Sequence, residues 1–233
     1  MLVKICGLKD PDQAVAIARL GAWAIGLIAV PASPRYVSPA QMRLVSDRLG
    51  VAGCAVERVG IFANTDLDTI AETVTTGDLT IVQLHGDESP EFCEAVRLRL
   101  PHQTLWKALR VRSAETLDLA ESYATAVDAL LLDAYRPEAL GGTGHTLDWQ
   151  RLQAWRSPLP WFLAGGITPD NLLQAIDTLA MAAPIGIDLS SGVERGPADK
   201  DLDQVARLFQ VLRQRFPSAT PVTDRPLDSP QPC

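Results

Sequence analysis

Positive charge is scarce in this sequence. Only four of its 21 basic residues are lysines, against 28 acidic residues, for a net charge of −7 and a pI near 5.0. No basic stretch of any length occurs, so a nucleic-acid surface is not expected, and an anionic ligand must be held by local groups. Cysteine is also sparse. Cys6, Cys54, Cys93 and Cys233 lie far apart without a CxxC pair, which excludes a dense disulfide framework and gives no zinc signature, so free thiols are expected. Long apolar runs are missing too: the longest, Gly21 to Ala32, is roughly 12 residues, against the ~20 that span a bilayer. The opening Met1-Leu2-Val3-Lys4-Ile5-Cys6 enters a strand pattern at once, without the charged and apolar regions of a secretory leader, so a cytoplasmic protein is expected.

What is present is a regular alternation. Hydrophobic residues make up 47% of the 233 residues, enough for one large domain. Eight short apolar runs recur: Val3–Cys6, Ala24–Ala29, Val59–Phe62, Ile81–Leu84, Leu105–Leu109, Leu130–Asp133, Trp161–Ala164 and Ile185–Leu189. Their near-continuous hydrophobicity suits strands covered on both faces, as in a parallel sheet. Helical patterns lie between them. Four open on a capping residue followed by proline: Asp10-Pro11, Ser38-Pro39, Ser89-Pro90 and Thr168-Pro169. Gly21 and Gly50 fit as C-terminal caps. A last helix from about Asp201 carries Leu202, Val205, Phe209 and Leu212 along one stripe. The alternation predicts an α/β fold, a single (β/α)8 TIM barrel of parallel strands over residues 1–216, with an open doubly wound sheet as the alternative. Pro217 to Cys233, with five prolines in seventeen residues, reads as a mobile tail.

A barrel directs attention to the C-terminal ends of its strands. Lys4, Cys6, Gln83, His85, Lys107, Asp133 and Asp188 interrupt otherwise apolar strands, where an unpartnered polar group costs several kcal/mol. They are expected to converge on one barrel mouth. Alternation puts Lys4 and Cys6 on one face, and Gln83 and His85 on one face. Cys6 taken alone reads more readily as a small core residue than as a reactive thiol, and it is the convergence of several such polar residues on one mouth that favours chemistry. For His85 a hydrogen-bonding role is favoured over metal ligation, since no second ligand stands at the right spacing, and no metal is predicted. Gly165-Gly166 follows the seventh strand and Ser190-Ser191-Gly192 the eighth, where barrels bind phosphate between backbone N–H groups. Gly141-Gly142-Thr143-Gly144-His145-Thr146 lacks the lysine of a nucleotide P-loop and reads as a hinged lid. Arg35, after the second strand, is either a bidentate carboxylate clamp or a solvated loop arginine.

Taken together, these motifs resemble the phosphoribosylanthranilate isomerase family of tryptophan biosynthesis. The likeness runs in order over about residues 1 to 215, through Val3-Lys4-Ile5-Cys6-Gly7-Leu8, Ser33-Pro34-Arg35-Tyr36-Val37, Val82-Gln83-Leu84-His85-Gly86, Leu131-Leu132-Asp133, Gly141-Gly142-Thr143-Gly144, Leu163-Ala164-Gly165-Gly166-Ile167 and Asp188-Leu189-Ser190-Ser191-Gly192-Val193-Glu194. The resemblance implies a cofactor-free Amadori rearrangement of a small phosphorylated aminoaldose by a monomer or homodimer. It implies Cys6 as general base and Asp133 as general acid. A free thiol is little ionised near neutrality, so a cationic neighbour would help, and Lys4 on the same strand face is the candidate. Gly165, Gly166, Ser190, Ser191 and Gly192 would take the phosphate and Arg35 the anthranilate carboxylate. Lys4, Gln83, His85 and Asp188 join Arg35 as expected substrate-binding residues. The general acid is expected to need a carboxyl kept neutral by burial. Departures are His145, where the family often has lysine, and Ala29-Val30, where it has larger aromatics.

Overall fold

The computed structural model describes residues 1–111, 114–134 and 149–217. In chain order the elements are β1 (Leu2–Cys6), α1 (Pro11–Leu20), β2 (Ala24–Ile28), α2 (Pro39–Val51), β3 (Glu57–Phe62), α3 (Leu67–Gly77), β4 (Ile81–Leu84), α4 (Pro90–Arg99), β5 (Thr104–Val111), α5 (Ala114–Asp118), β6 (Ala129–Ala134), α6 (Trp149–Gln153), β7 (Trp161–Ala164), α7 (Leu172–Thr178), β8 (Gly186–Leu189), the hairpin β9 (Glu194–Gly196) and β10 (Asp199–Lys200), and α8 (Leu202–Arg215). Strands β1 to β8 close into a barrel in sequence order. All neighbouring pairs are parallel, and β8 returns to β1 with Leu2 opposite Gly186 and Lys4 opposite Asp188. The barrel expected from the alternation is the fold found. The glycine-rich segment 141–146 and the tail from residue 218 lie outside the described residues.

Strand side chains alternate between two apolar layers. Ile5, Leu27, Val82, Leu105 and Leu163 point outward against the helices, while Val59, Ile81, Trp106, Leu131 and Phe162 point inward and fill the barrel. The rings of Trp23, Trp106 and Phe162 stack, with centroids 4.4–6.0 Å apart, and close the end where the strands begin.

Three of the four proline-led helix starts are found as expected. The Asp10, Ser38 and Ser89 side chains accept from the backbone N–H groups of Asp12, Gln41 and Phe92, and proline takes the first turn of each helix. The fourth differs. α7 begins at Leu172, because Thr168 and Asn171 exchange side-chain-to-backbone bonds of 2.8 and 3.3 Å that close a separate turn first. Gly50 is not a cap either: α2 runs to Val51 and is capped by Ala52, whose N–H reaches the Arg48 carbonyl.

Lys107 does not reach the barrel mouth. It shares a strand face with Leu105 and Leu109 and therefore points to the helices, where its Nζ lies 2.8 Å from Glu88 Oε2 and 2.7 Å from the Gly86 carbonyl, both side chains buried. Glu88 in turn accepts from the Asn64 and Gly86 N–H groups. This ion pair fastens the loops after β3 and β4 from behind.

Candidate active site

At the C-terminal ends of the strands lies a cavity of about 510 Å³, lined by Cys6, Ile28, Arg35, Ile61, Gln83, His85, Arg110, Asp133, Ala164, Gly165, Gly166, Ile167, Asp188, Leu189, Ser190, Ser191 and Gly192. Of the thirteen residues expected at this mouth, eleven line it; Lys107 faces the helices. Lys4 does not line it either: it lies below the floor with no exposed surface, its Nζ 2.9 Å from Asp188 Oδ2.

Cys6 ends β1 facing inward, against Gly26 of β2. A Cβ at position 26 would sit 2.7 Å from the Cys6 sulfur, so only glycine leaves room for the thiol there. Burial pushes the Cys6 thiol up from its ordinary value of 9.0. Lys4 pulls it down, but Asp188 pushes it back up, and the net shift is upward. Lys4 is thus a cation that favours the thiolate, but its pull does not outweigh burial together with the Asp188 charge. Burial costs Lys4 itself some of its charge preference, yet Asp188 and Cys6 together more than offset this and its pKa rises.

Asp133, on β6, is wetter than expected: its side chain is 31% exposed, against the burial foreseen for it. It belongs to a hydrogen-bonded line. Gln83 Nε2 lies 2.9 Å from His85 Nδ1, and His85 Nε2 lies 3.2 Å from Asp133 Oδ2. With the amide donating to Nδ1, the ring proton sits on Nε2 and points to the carboxylate. Two acceptors in the cavity wall, Gln83 Oε1 and Asp188 Oδ1, are buried without a partner among the described residues. Such groups are costly unless something fills them.

On the strand next to the acid, just past Ala164, the register partner of Asp133, Gly165 and Gly166 both take positive φ (83° and 72°), turning the chain sharply after β7 in a conformation that side chains resist. Ser190 follows β8 and leads into a 3₁₀ turn at Ser191–Val193. Arg35 meets the cavity edge but is not free. Its Nε lies 2.9 Å from Glu194 Oε1 and its Nη2 2.5 Å from Glu194 Oε2, so one side of the guanidinium is occupied and Nη1 has no acceptor among the described residues. Neither reading made from sequence, open clamp or solvated loop residue, foresaw this pair.

Arg110 was missed. It stands next to last in β5, one step beyond Ala108 on the inward alternation, lines the cavity, and donates from Nη2 to the His85 carbonyl at 3.0 Å. The signal was the alternation itself, had the strand been carried to Val111. Among the described residues no group of three or more His, Cys, Asp or Glu could hold a metal, and no helix is long and apolar enough to cross a membrane.

A closed (β/α)8 barrel whose mouth joins a thiol, a carboxyl–imidazole pair and glycine–serine turns is an enzyme for acid–base chemistry on a small anionic molecule. Comparison with known proteins narrows the class. The family described as N-(5'phosphoribosyl)anthranilate (PRA) isomerase matches residues 3–211, and the chain belongs to it. It is similar to the N-(5'-phosphoribosyl)anthranilate isomerase of Acaryochloris marina, at 57% identity over 90% of this chain and 97% of that protein. The Trichormus variabilis enzyme of the same name is 54% identical over 92% of this chain and all of its own length. Among solved structures, phosphoribosyl anthranilate isomerase from Thermotoga maritima superposes with a TM-score of 0.81 at 34% identity, covering 92% of this chain and 100% of that one. Another such isomerase, solved in complex with reduced 1-(o-carboxyphenylamino)-1-deoxyribulose 5-phosphate, matches with a TM-score of 0.78 at 31% identity, over 92% of this chain and 100% of that one.

Proposed function

We propose that this chain catalyses the Amadori rearrangement of N-(5-phosphoribosyl)anthranilate to 1-(2-carboxyphenylamino)-1-deoxyribulose 5-phosphate, a step of tryptophan biosynthesis. The observation that carries the reading is that Cys6 and Asp133 line one cavity together with the Gly165-Gly166 and Ser190–Gly192 turns. Asp133, protonated, delivers its proton to the furanose ring oxygen. The C1′–O bond breaks and the anthranilate nitrogen supplies the electron pair that forms the Schiff base. The Cys6 thiolate then removes the C2′ proton, and the C–H electrons form the C1′=C2′ bond as the nitrogen regains its pair. The enol so formed tautomerises to the ketone. Every substrate atom is retained, so no external oxidant or reductant enters the balance.

The remaining residues bind and orient. His85 holds Asp133 from one side, with Gln83 fixing the ring. Gln83 Oε1 and Asp188 Oδ1, both lacking partners, suit ribose hydroxyls or the anthranilate N–H. Arg35 offers its unengaged Nη1 to the carboxylate, and Gly165, Gly166, Ser190, Ser191 and Gly192 cradle the phosphate. Lys4 acts indirectly, by holding Asp188 in place. A cytoplasmic monomer or homodimer that uses no nucleic acid is the corresponding wider reading. The test adds purified protein to freshly made phosphoribosylanthranilate and follows loss of its anthranilate-type fluorescence. Loss well above the spontaneous rate is expected, and a rate equal to it rejects the assignment.

A further inference from the structure

Behind the phosphate cradle stands a charge cluster that the reaction above does not use. The β9–β10 hairpin folds back so that Lys200 has no side-chain exposure. Its Nζ lies 2.6 Å from Glu194 Oε1, 3.2 Å from the Ser190 carbonyl and 3.4 Å from Ser190 Oγ. The same carboxylate, itself 4% exposed, receives Arg35 through Nε and Nη2. Its Oε1 also accepts from the Ala198 N–H, and Ala198 holds a left-handed φ of 67° to make that turn. From the other side, Gln13 of α1 accepts from the Lys200 N–H and donates to its carbonyl.

Two cations therefore share one carboxylate, and the cluster carries one positive charge in excess. Burying a charge is costly unless it is matched. Burial pushes the Lys200 ammonium down from its ordinary value and Glu194 only partly restores it. The excess charge is close to the cavity: a Cβ on Gly7, next to Cys6, would lie 3.2 Å from Ser190 Oγ and 2.6 Å from Arg35 Cδ, so the cluster and the site share one wall.

We propose that Lys200 is a positioning residue for the anion cradle: its buried ammonium holds Ser190 from behind and supplies the unmatched positive charge that a ligand phosphate neutralises. Glu194 ties that charge to Arg35, so the phosphate end and the carboxylate end of the ligand are held by one network. The proposal rests on the phosphate reading of the Gly165-Gly166 and Ser190–Gly192 turns.

Calorimetric titration of the full chain with inorganic phosphate tests it. Lys200→Met is expected to weaken phosphate binding about tenfold, the size of effect for one charge near the surface of a site. Lys200→Arg is expected to keep most of the affinity. Glu194→Gln leaves both cations unmatched, so binding is expected to hold or tighten. A purely structural role for the pair predicts that Lys200→Met and Glu194→Gln weaken binding alike, and that result overturns the proposal. A second measurement needs no variant: in the unmodified chain the shielded Lys200 15N ammonium resonance should shift as phosphate is added, and saturation without a shift also overturns it. Phosphate that fails to bind the unmodified chain removes the cradle reading itself. Phosphate that binds with Lys200 indifferent to it removes only this inference.

Discussion

A thiol in a barrel wall faces two opposed demands. Cys6 must be reachable from the cavity, yet it is only 7% exposed, and burial favours its neutral form. Its neighbours do not reverse that balance, since the Lys4 charge is already matched by Asp188. Alkylation of Cys6 by iodoacetamide, followed by mass spectrometry at that residue, should therefore quicken with pH through the ordinary thiol value of 9.0 and beyond. A rate that levels off near neutrality would show a thiolate already formed. Cys6→Ala should lower kcat by at least ~10² with KM little changed, as loss of a general base does, and near-normal steady-state kcat would remove Cys6 from that role. The residue types at the mouth were legible in the sequence, because polar side chains inside apolar strands have few explanations. Their pairings were not. Arg35 and Glu194 are 159 positions apart, and no local pattern says that one will occupy the other.

The secondary-structure elements were more legible than their contacts. Strand positions followed from short apolar runs, and the starts of α1, α2 and α4 from a capping side chain followed by proline, since both signals act within one turn of chain. Errors arose where a competing local bond won, as at Thr168 and Asn171 ahead of α7. They also arose where face mattered: Lys107 was grouped with the mouth residues although it shares the outward face of Leu105 and Leu109. The Ser38 capping box joins its side chain to the Gln41 N–H and the Gln41 side chain to the Ser38 N–H, and neither residue lines the cavity. Ser38→Ala should cost about 1 kcal/mol, lowering Tm by roughly 2–4 °C for a domain of this size, while kcat and KM stay as they were. Thermal unfolding and steady-state kinetics on the same preparation check both halves.

On the scale of the whole molecule, the barrel divides its labour between two ends. The stacked rings of Trp23, Trp106 and Phe162 close one end, and the polar cavity opens at the other. Phe162→Ala should therefore cost about 3–5 kcal/mol through the void it leaves, a fall of roughly 6–20 °C in Tm, with kcat at 25 °C within about twofold of the parent if the two ends are energetically separate. A large loss of kcat in protein still folded by circular dichroism would show that the aromatic floor shapes the site. The eight-strand order was legible because parallel strands with helical crossovers permit few closures, but which aromatics plug the base depends on inward register, which single strands do not declare.

Closure also has a history in time. One edge of β1 can be satisfied only by β8, with Leu2 against Gly186. At a ribosomal pace of about 5–20 residues per second, the nascent segment bearing Lys4 and Cys6 waits on the order of 10–40 s for that partner to be synthesised. During that interval the β1 edge that β8 will cover is bare and its lysine has no counter-ion from Asp188, so the stretch on which the chemistry depends is among the last to have all its partners.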